Sequence, residues 1–258
     1  MILSRSLYLW LLALIITLAS AYYQRTTGPT WPVRGHVTIG SQDVGFKLPR
    51  SHAGDSDARY VILAPGSRIR GEFLYRKADS DSSWTMGRLL RQGDSLIGTL
   101  PHQPPAQSLA YQVFLHVAPP ERAKLTEQPI TIRFKGHTPL WVLLPHIVLM
   151  FGAMLFSTQA GLAAVFRGRR IARLAFWTVV MLFFGGLVLG PIVVKYAFDA
   201  WWTGWPVGSD LTDNKTAVAF VLWLFAWLRV RKHPRRRIAV IVAAVLLLAV
   251  YLIPHSAQ

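Results

Sequence analysis

Two patterns of apolar and polar positions divide this chain. Between Trp31 and Gly136, apolar and polar residues alternate in short runs: His36-Val-Thr-Ile39, Tyr60-Val-Ile-Leu63, Arg68-Ile-Arg-Gly-Glu-Phe-Leu-Tyr75, Ser95-Leu-Ile-Gly-Thr-Leu100, Leu109-Ala-Tyr-Gln-Val-Phe-Leu-His-Val117 and Ile130-Thr-Ile-Arg-Phe134. Turn residues such as Ala64-Pro-Gly66, Gln92-Gly-Asp94 and Pro101-His-Gln-Pro-Pro105 separate them. A period of two over short runs predicts half-buried strands, and six or seven at this spacing predict a β-sandwich.

Beyond residue 139 the alternation gives way to long, nearly uncharged runs that approach the roughly 20 residues needed to cross about 30 Å of hydrocarbon. They predict membrane helices at about 139–166, 174–194, 211–230 and 238–253, a four-helix transmembrane bundle. The third run becomes uninterrupted only at Ala217 and the fourth is short, so Lys215 and the flanking arginines would have to reach the interfaces. Another apolar run, Leu7 to Leu18, follows Arg5 and precedes Ala19-Ser20-Ala21. It reads equally as a secretory signal peptide or as a retained anchor helix, within a segment spanning residues 1–23. Either way the 24–138 domain is expected to be exported.

Composition is consistent with this division: 52% of the 258 residues are hydrophobic and ten are Trp. A formal charge of +16 would ordinarily raise the question of a nucleic-acid partner, but its distribution points elsewhere. Arg167, Arg169, Arg170 and Arg173 fall between the first two runs, and Arg229, Arg231, Lys232, Arg235, Arg236 and Arg237 between the last two. With Arg5 these are eleven cations on one expected side, with no acid among them, while all twelve Asp and Glu lie on the other. The positive-inside rule then places both arginine-rich loops in the cytoplasm and the β-domain and C-terminus outside, as in a multi-pass protein of the bacterial inner membrane. The expected partners are the lipid bilayer and an envelope or membrane protein, not nucleic acid; the basic loops are also suited to anionic headgroups. Trp141, Tyr196, Trp201, Trp202, Trp205 and Tyr251 are expected at the outer interface, and Trp177, Trp223 and Trp227 toward the inner one.

Candidate chemistry gathers at the expected outer ends of the helices. The stretch Lys195 to Thr216 reads KYAFDAWWTGWPVGSDLTDNKT and ends in polar residues at the mouth of a helix. Polar groups so near hydrocarbon are often functional. Topology brings His146, Lys195, Asp199, Asp210, Thr212, Asp213, Asn214 and Lys215 to one level as a candidate site. The competing explanation is structural, with Asp210 or Thr212 capping the helix, Asp213 meeting its dipole and Lys215 anchoring at headgroups. His137, His146 and His255 are weak metal candidates without ligand spacing, and His146 with Met150 a remote axial pair for haem. No cofactor is predicted. The absence of Cys excludes disulfides, thiolate metal sites and Cys nucleophiles. No phosphate-binding Gly-rich loop, Gly-x-Ser-x-Gly elbow, His-Glu-x-x-His or dinucleotide fingerprint occurs.

Two resemblances add to this. The order Phe73-Leu-Tyr-Arg76, Trp84, Met86, Gly93-Asp94, Gly98-Thr-Leu-Pro101 and Tyr111-Gln-Val113 resembles immunoglobulin-like sandwiches, in which a Trp covers the core edge. The blocks Pro145-His-Ile-Val-Leu-Met150, Ala153-Met-Leu-Phe-Ser157, Gly204-Trp-Pro-Val-Gly208 and Asp210-Leu-Thr-Asp-Asn-Lys215 resemble bacterial integral membrane proteins of uncharacterised function. Leu100-Pro-His-Gln-Pro-Pro-Ala106 is similar too, although Gln107-Ser108 stands where that group carries a small, basic continuation. The second resemblance implies an exported immunoglobulin-like domain before a helical bundle and implies no activity. The functional expectation is a membrane-anchored binding or accessory protein. The alternatives are a small membrane enzyme or permease using the polar site, and a haem-binding electron-transfer subunit.

Overall fold

A computed structural model describes residues 2–65, 68–80, 82–117, 122–206, 208 and 211–253, with the side chains of 2–5, 211 and 212 outside that description. The chain is mixed α+β, with two sheets and five helices, and separates into two compact units.

The first unit comprises Thr30–His137 with Ala197–Asp199. Its strands are β1 (Val33–Ile39), β2 (Gln42–Leu48), β3 (Ser51–Ala53), β4 (Ala58–Leu63), β5 (Arg70–Lys77), β6 (Thr85–Arg88), β7 (Leu90–Gln92), β8 (Ser95–Leu100), β9 (Ser108–His116), β10 (Arg122–Lys124) and β11 (Ile130–Lys135). One sheet runs β1-β2-β4-β8-β7 and the other β3-β11-β9-β5-β6, with β10 beside β9. All pairs are antiparallel except β3 with β11.

The alternation in the sequence sets which side chains face inward. Along β4, Ala58, Tyr60 and Ile62 are buried while Arg59, Val61 and Leu63 are exposed. Both sheets contribute to a single core. Tyr60 of the first sheet meets Phe73 and Tyr111 of the second at ring-centroid distances of 6.1 and 5.7 Å. The Tyr111 hydroxyl donates to the Pro49 carbonyl at 2.8 Å, fixing the point where the chain leaves β2 for β3 in the other sheet. Gly98 pairs across from Tyr60, and a Cβ there would lie 2.1 Å from the Tyr60 ring, so the aromatic can lie flat only over glycine. Gly87 and Phe73 repeat the arrangement at 2.2 Å. Trp84, the tryptophan of the immunoglobulin-like stretch, is 38% exposed and lies under the Arg76 guanidinium instead of covering the core.

The second unit contains α1 (Ile2–Thr27), α2 (Leu140–Val165), α3 (Ile171–Phe198) as far as Tyr196, α4 (Leu211–Lys232) and α5 (Ile238–Leu252). The helices α1, α2 and α3 are long and apolar enough to cross a membrane; α5 is apolar but has only 15 residues. The expected third span, 211–230, is present as α4 and runs two residues further, but Asp213, Lys215, Arg229, Arg231 and Lys232 leave it outside that apolar set. The expected second span, 174–194, extends at both ends to Ile171–Phe198, and a π-helical segment, Leu182–Leu189, joins its two α-helical parts. Close packing rests on small residues, including Ala153, Ala160, Ala163, Ala175, Ala219, Ala226 and Ala243, and Gly161 has no room for a Cβ beside Ala244. The helix α1 packs into this group, with Ala13, Thr17 and Ser20 buried and Trp10 edge-on to Phe156. Trp223 is fully buried in the helical core, where Ala219, Ala226 and the neighbouring helices enclose it.

Candidate functional site

The predicted polar cluster divides in the structure. His146 sits about two turns into α2, directly after Pro145. Its Nδ1 lies 2.8 Å from the Gly185 carbonyl in the π-helical segment, so Nδ1 carries the proton and donates, leaving Nε2 free to accept. His146 and Lys215 line one cavity of about 170 Å³ together with Gln24, Thr216, Tyr251 and apolar residues of α2. Every element lining it belongs to the helical unit, and the Tyr251 hydroxyl closes one wall by donating to the Met150 carbonyl at 3.1 Å. Tyr251 is thereby tied to α2.

The other members lie elsewhere. Asp213 is 8% exposed, and its Oδ2 accepts from the Thr203 backbone N–H at 2.7 Å and from Thr203 Oγ1 at 2.9 Å. It clamps the preceding loop onto the first turn of α4. Asn214 faces the same loop, with Oδ1 2.5 Å from where a Cβ on Gly204 would sit, and a Cβ on Gly208 would strike the Thr203 carbonyl at 2.4 Å. The Gly-Trp-Pro-Val-Gly block is therefore packed tightly enough at both glycines to exclude side chains. Asp199 has a left-handed φ of 58° immediately after α3 ends, a conformation Asp tolerates and one that terminates helices. It groups with the β unit, as does the exposed His137. Lys195 is half-buried in α3 and does not line the cavity. Asp210 and His255 lie outside the described residues, as does the side chain of Thr212. Among the described residues no three His, Asp or Glu side chains gather as a metal site. At about 170 Å³ the cavity is also smaller than the ≈300–1,000 Å³ of ordinary small-molecule pockets.

The β unit holds a larger recess that the sequence did not single out, about 610 Å³ and lined by Arg70, Glu72, Arg88, Arg91 and His116 over a floor that includes Leu89 and Leu96. Strand pairing builds it: Arg70 stands opposite His116 across β5 and β9, and Glu72 opposite Arg88 across β5 and β6. Arg91 is committed to structure, donating to the carbonyls of Ala64, Gly93 and Ile69. Glu72 Oε1 accepts from Arg122 at 2.7 Å, which offsets the one acid of the recess. Arg70 and Arg88 remain exposed, giving the recess a cationic wall. In sequence these arginines looked like the solvated positions of strands, and only pairing brings them together. Compared with known proteins, the chain matches no family model and no curated sequence.

Proposed function

We propose that this chain is a membrane-anchored binding protein of the bacterial envelope, whose exported β unit holds an anionic envelope component in the Arg70–Arg88–His116 recess. The observation that carries the reading is that recess: about 610 Å³ of concave surface with two exposed guanidinium groups and its lone carboxylate already paired.

An immunoglobulin-like sandwich is the fold we infer for the β unit. The order β1-β2-β4-β8-β7 against β3-β11-β9-β5-β6, with the short third strand β3 lying in the second sheet parallel to the last strand β11, supports it, and such domains commonly mediate contact. For the helical unit the inference is a four-helix bundle, α2 to α5, joined by α1 as a retained anchor instead of a cleaved signal peptide. Burial of Ala13, Thr17 and Ser20 supports retention. The partition of basic residues supports cytoplasmic Arg167–Arg173 and Arg229–Arg237 loops, with the β unit and C-terminus on the periplasmic side of a multi-pass inner-membrane protein. Membership of the bacterial group named above is part of the same proposal. The function requires no cofactor and no nucleic acid.

The test is recovery of envelope material on the full chain in mild detergent, beside the double variant Arg70→Glu/Arg88→Glu. The proposal expects a bound anionic species that the double variant loses by about tenfold or more. Equal recovery on both proteins would remove the recess from the account.

The His146–Lys215 cavity favours a second reading, a small membrane enzyme or permease. There the ammonium of Lys215 neutralises an anionic group and His146 Nε2 exchanges a proton. Asp213 is left out of that chemistry in this reading, because its Oδ2 is held by Thr203 and it does not line the cavity. An effect of His146→Ala on a cellular activity that Arg70→Glu/Arg88→Glu leaves untouched would favour this reading.

A further inference from the structure

At the end of the helical unit away from His146, a cavity of about 340 Å³ opens beside the α2–α3 connection. Trp10 of α1, Gln159 of α2, Arg169 and Arg170 of the connection, and Arg173 and Trp177 of α3 line it, and no acid is among its lining residues. The three arginines are exposed. Gln159 is the opposite case: it is 3% exposed, and its Oε1 is buried without any hydrogen-bond partner among the described residues. An amide oxygen shut away from water in this manner is costly unless something donates to it.

The geometry points to a binding site for one anionic phospholipid of the surrounding bilayer, of the kind whose headgroup carries a hydroxyl. Its phosphodiester lies on Arg169, Arg170 and Arg173, and its headgroup hydroxyl donates to Gln159 Oε1. Guanidinium groups match phosphate oxygens in charge and in donor geometry. Trp10 and Trp177 flank the site with rings suited to headgroup depth, and Phe156 and Leu174 continue its wall in apolar material for the acyl chains. A diffuse basic surface attracts any anionic lipid, whereas the buried orphan acceptor distinguishes headgroups that can donate from those that cannot. The site is separate from the β-unit recess and does not depend on it.

The two tryptophans supply the readout. The full chain is placed in phosphatidylcholine nanodiscs doped with brominated-acyl lipids, whose bromines quench nearby indoles, and Trp177→Phe defines the share of quenching that arises at the cavity. Brominated phosphatidylglycerol is expected to half-saturate this quenching at a mole fraction about tenfold below brominated phosphatidylcholine. It should also act about fivefold below brominated phosphatidylmethanol, which is anionic but has no headgroup hydroxyl. Gln159→Leu should abolish the glycerol-over-methanol difference and retain the preference for anions. Arg169→Gln/Arg173→Gln should lose the anion preference, and Arg231→Gln/Arg236→Gln in the other basic loop should keep it. The proposal is overturned if the unaltered protein quenches equally with phosphatidylglycerol and phosphatidylcholine. It is equally overturned if Gln159→Leu leaves the glycerol preference intact, or if the control pair loses as much as the cavity pair.

Discussion

Asp213 was a candidate site residue in the sequence and is a clamp in the structure, and a chemical and a structural role separate cleanly under substitution. Its Oδ2 accepts two hydrogen bonds from Thr203 in a setting where the residue is 8% exposed. Hydrogen bonds to a charged acceptor contribute about 1.5–3 kcal/mol each, and two that share one oxygen should contribute less than double that, so Asp213→Ala should weaken the clamp by about 3 kcal/mol. Asp213→Asn keeps an acceptor oxygen of similar reach and loses the charge, for about 1.5 kcal/mol. Thr203→Val removes only the hydroxyl donor, for about 1 kcal/mol. Amide hydrogen exchange reports this local opening directly, because each 1.4 kcal/mol is about a tenfold change in rate. The Thr203 amide should therefore exchange about a hundredfold faster in Asp213→Ala and about tenfold faster in Asp213→Asn, while peptides of the β strands stay unchanged. Unaltered exchange at Thr203 in Asp213→Ala would refute the clamp. So would a full loss of cellular function in Asp213→Asn with exchange near that of the unaltered protein, which would return a chemical role to the carboxylate.

Two tyrosines in the β core give predictions of opposite sign. The Tyr60 hydroxyl is buried without a partner, so Tyr60→Phe should be neutral or stabilise by up to about 1 kcal/mol. Tyr111→Phe loses the bond to the Pro49 carbonyl and should destabilise by about 1–2 kcal/mol, both read from denaturant midpoints. Burial raises both phenols above their ordinary value of 10.0. Because the folded values are raised, the stability they contribute is complete below that value and is lost as pH rises past it toward the raised folded ones. Phenolate absorbance from these two residues should accordingly appear only together with the loss of the near-ultraviolet circular dichroism of the β unit; titration in the folded protein would contradict their burial. The chain has no Cys, so single cysteines test topology without background. Ser83→Cys should react with an impermeant maleimide in intact spheroplasts and Gly168→Cys only after permeabilisation, and the reverse order would invert the proposed orientation.

How much of this was legible depended on whether a residue's role is set by its neighbours in sequence or across the fold. The strands β4 and β11 were visible because one face of each is buried and alternation records it, and β8 and β9 because their consecutive buried residues make apolar runs bounded by turn residues. The strands β3, β6, β7 and β10 are three or four residues long with few or no buried side chains, so nothing in their composition distinguishes them from loops. Strand β2 hid its alternation of Val44, Phe46 and Leu48 behind Gly45 and flanking polar residues. Among the helices, apolar length located the spans, but nothing in the uniformly apolar Leu182–Leu189 stretch marks it as the π-helical segment that presents the Gly185 carbonyl to His146. The candidate site was half legible for the same reason. Helix ends bring His146 and Lys215 to one level, whereas the direction in which Asp213 points follows from the path of the Thr203 loop. The arginines of the β-unit recess come from three separate strands and become neighbours only through pairing.

The central claim is that the Arg70–Arg88–His116 recess holds an anionic envelope partner, and photo-crosslinking in living cells tests it most directly. A photoreactive residue at Arg88, in the recess wall, should yield a discrete adduct that Arg70→Glu removes, and one at the exposed Asp55, which does not line the recess, should yield none. Adducts of equal yield at both positions, or an Arg88 adduct indifferent to Arg70→Glu, would contradict the account.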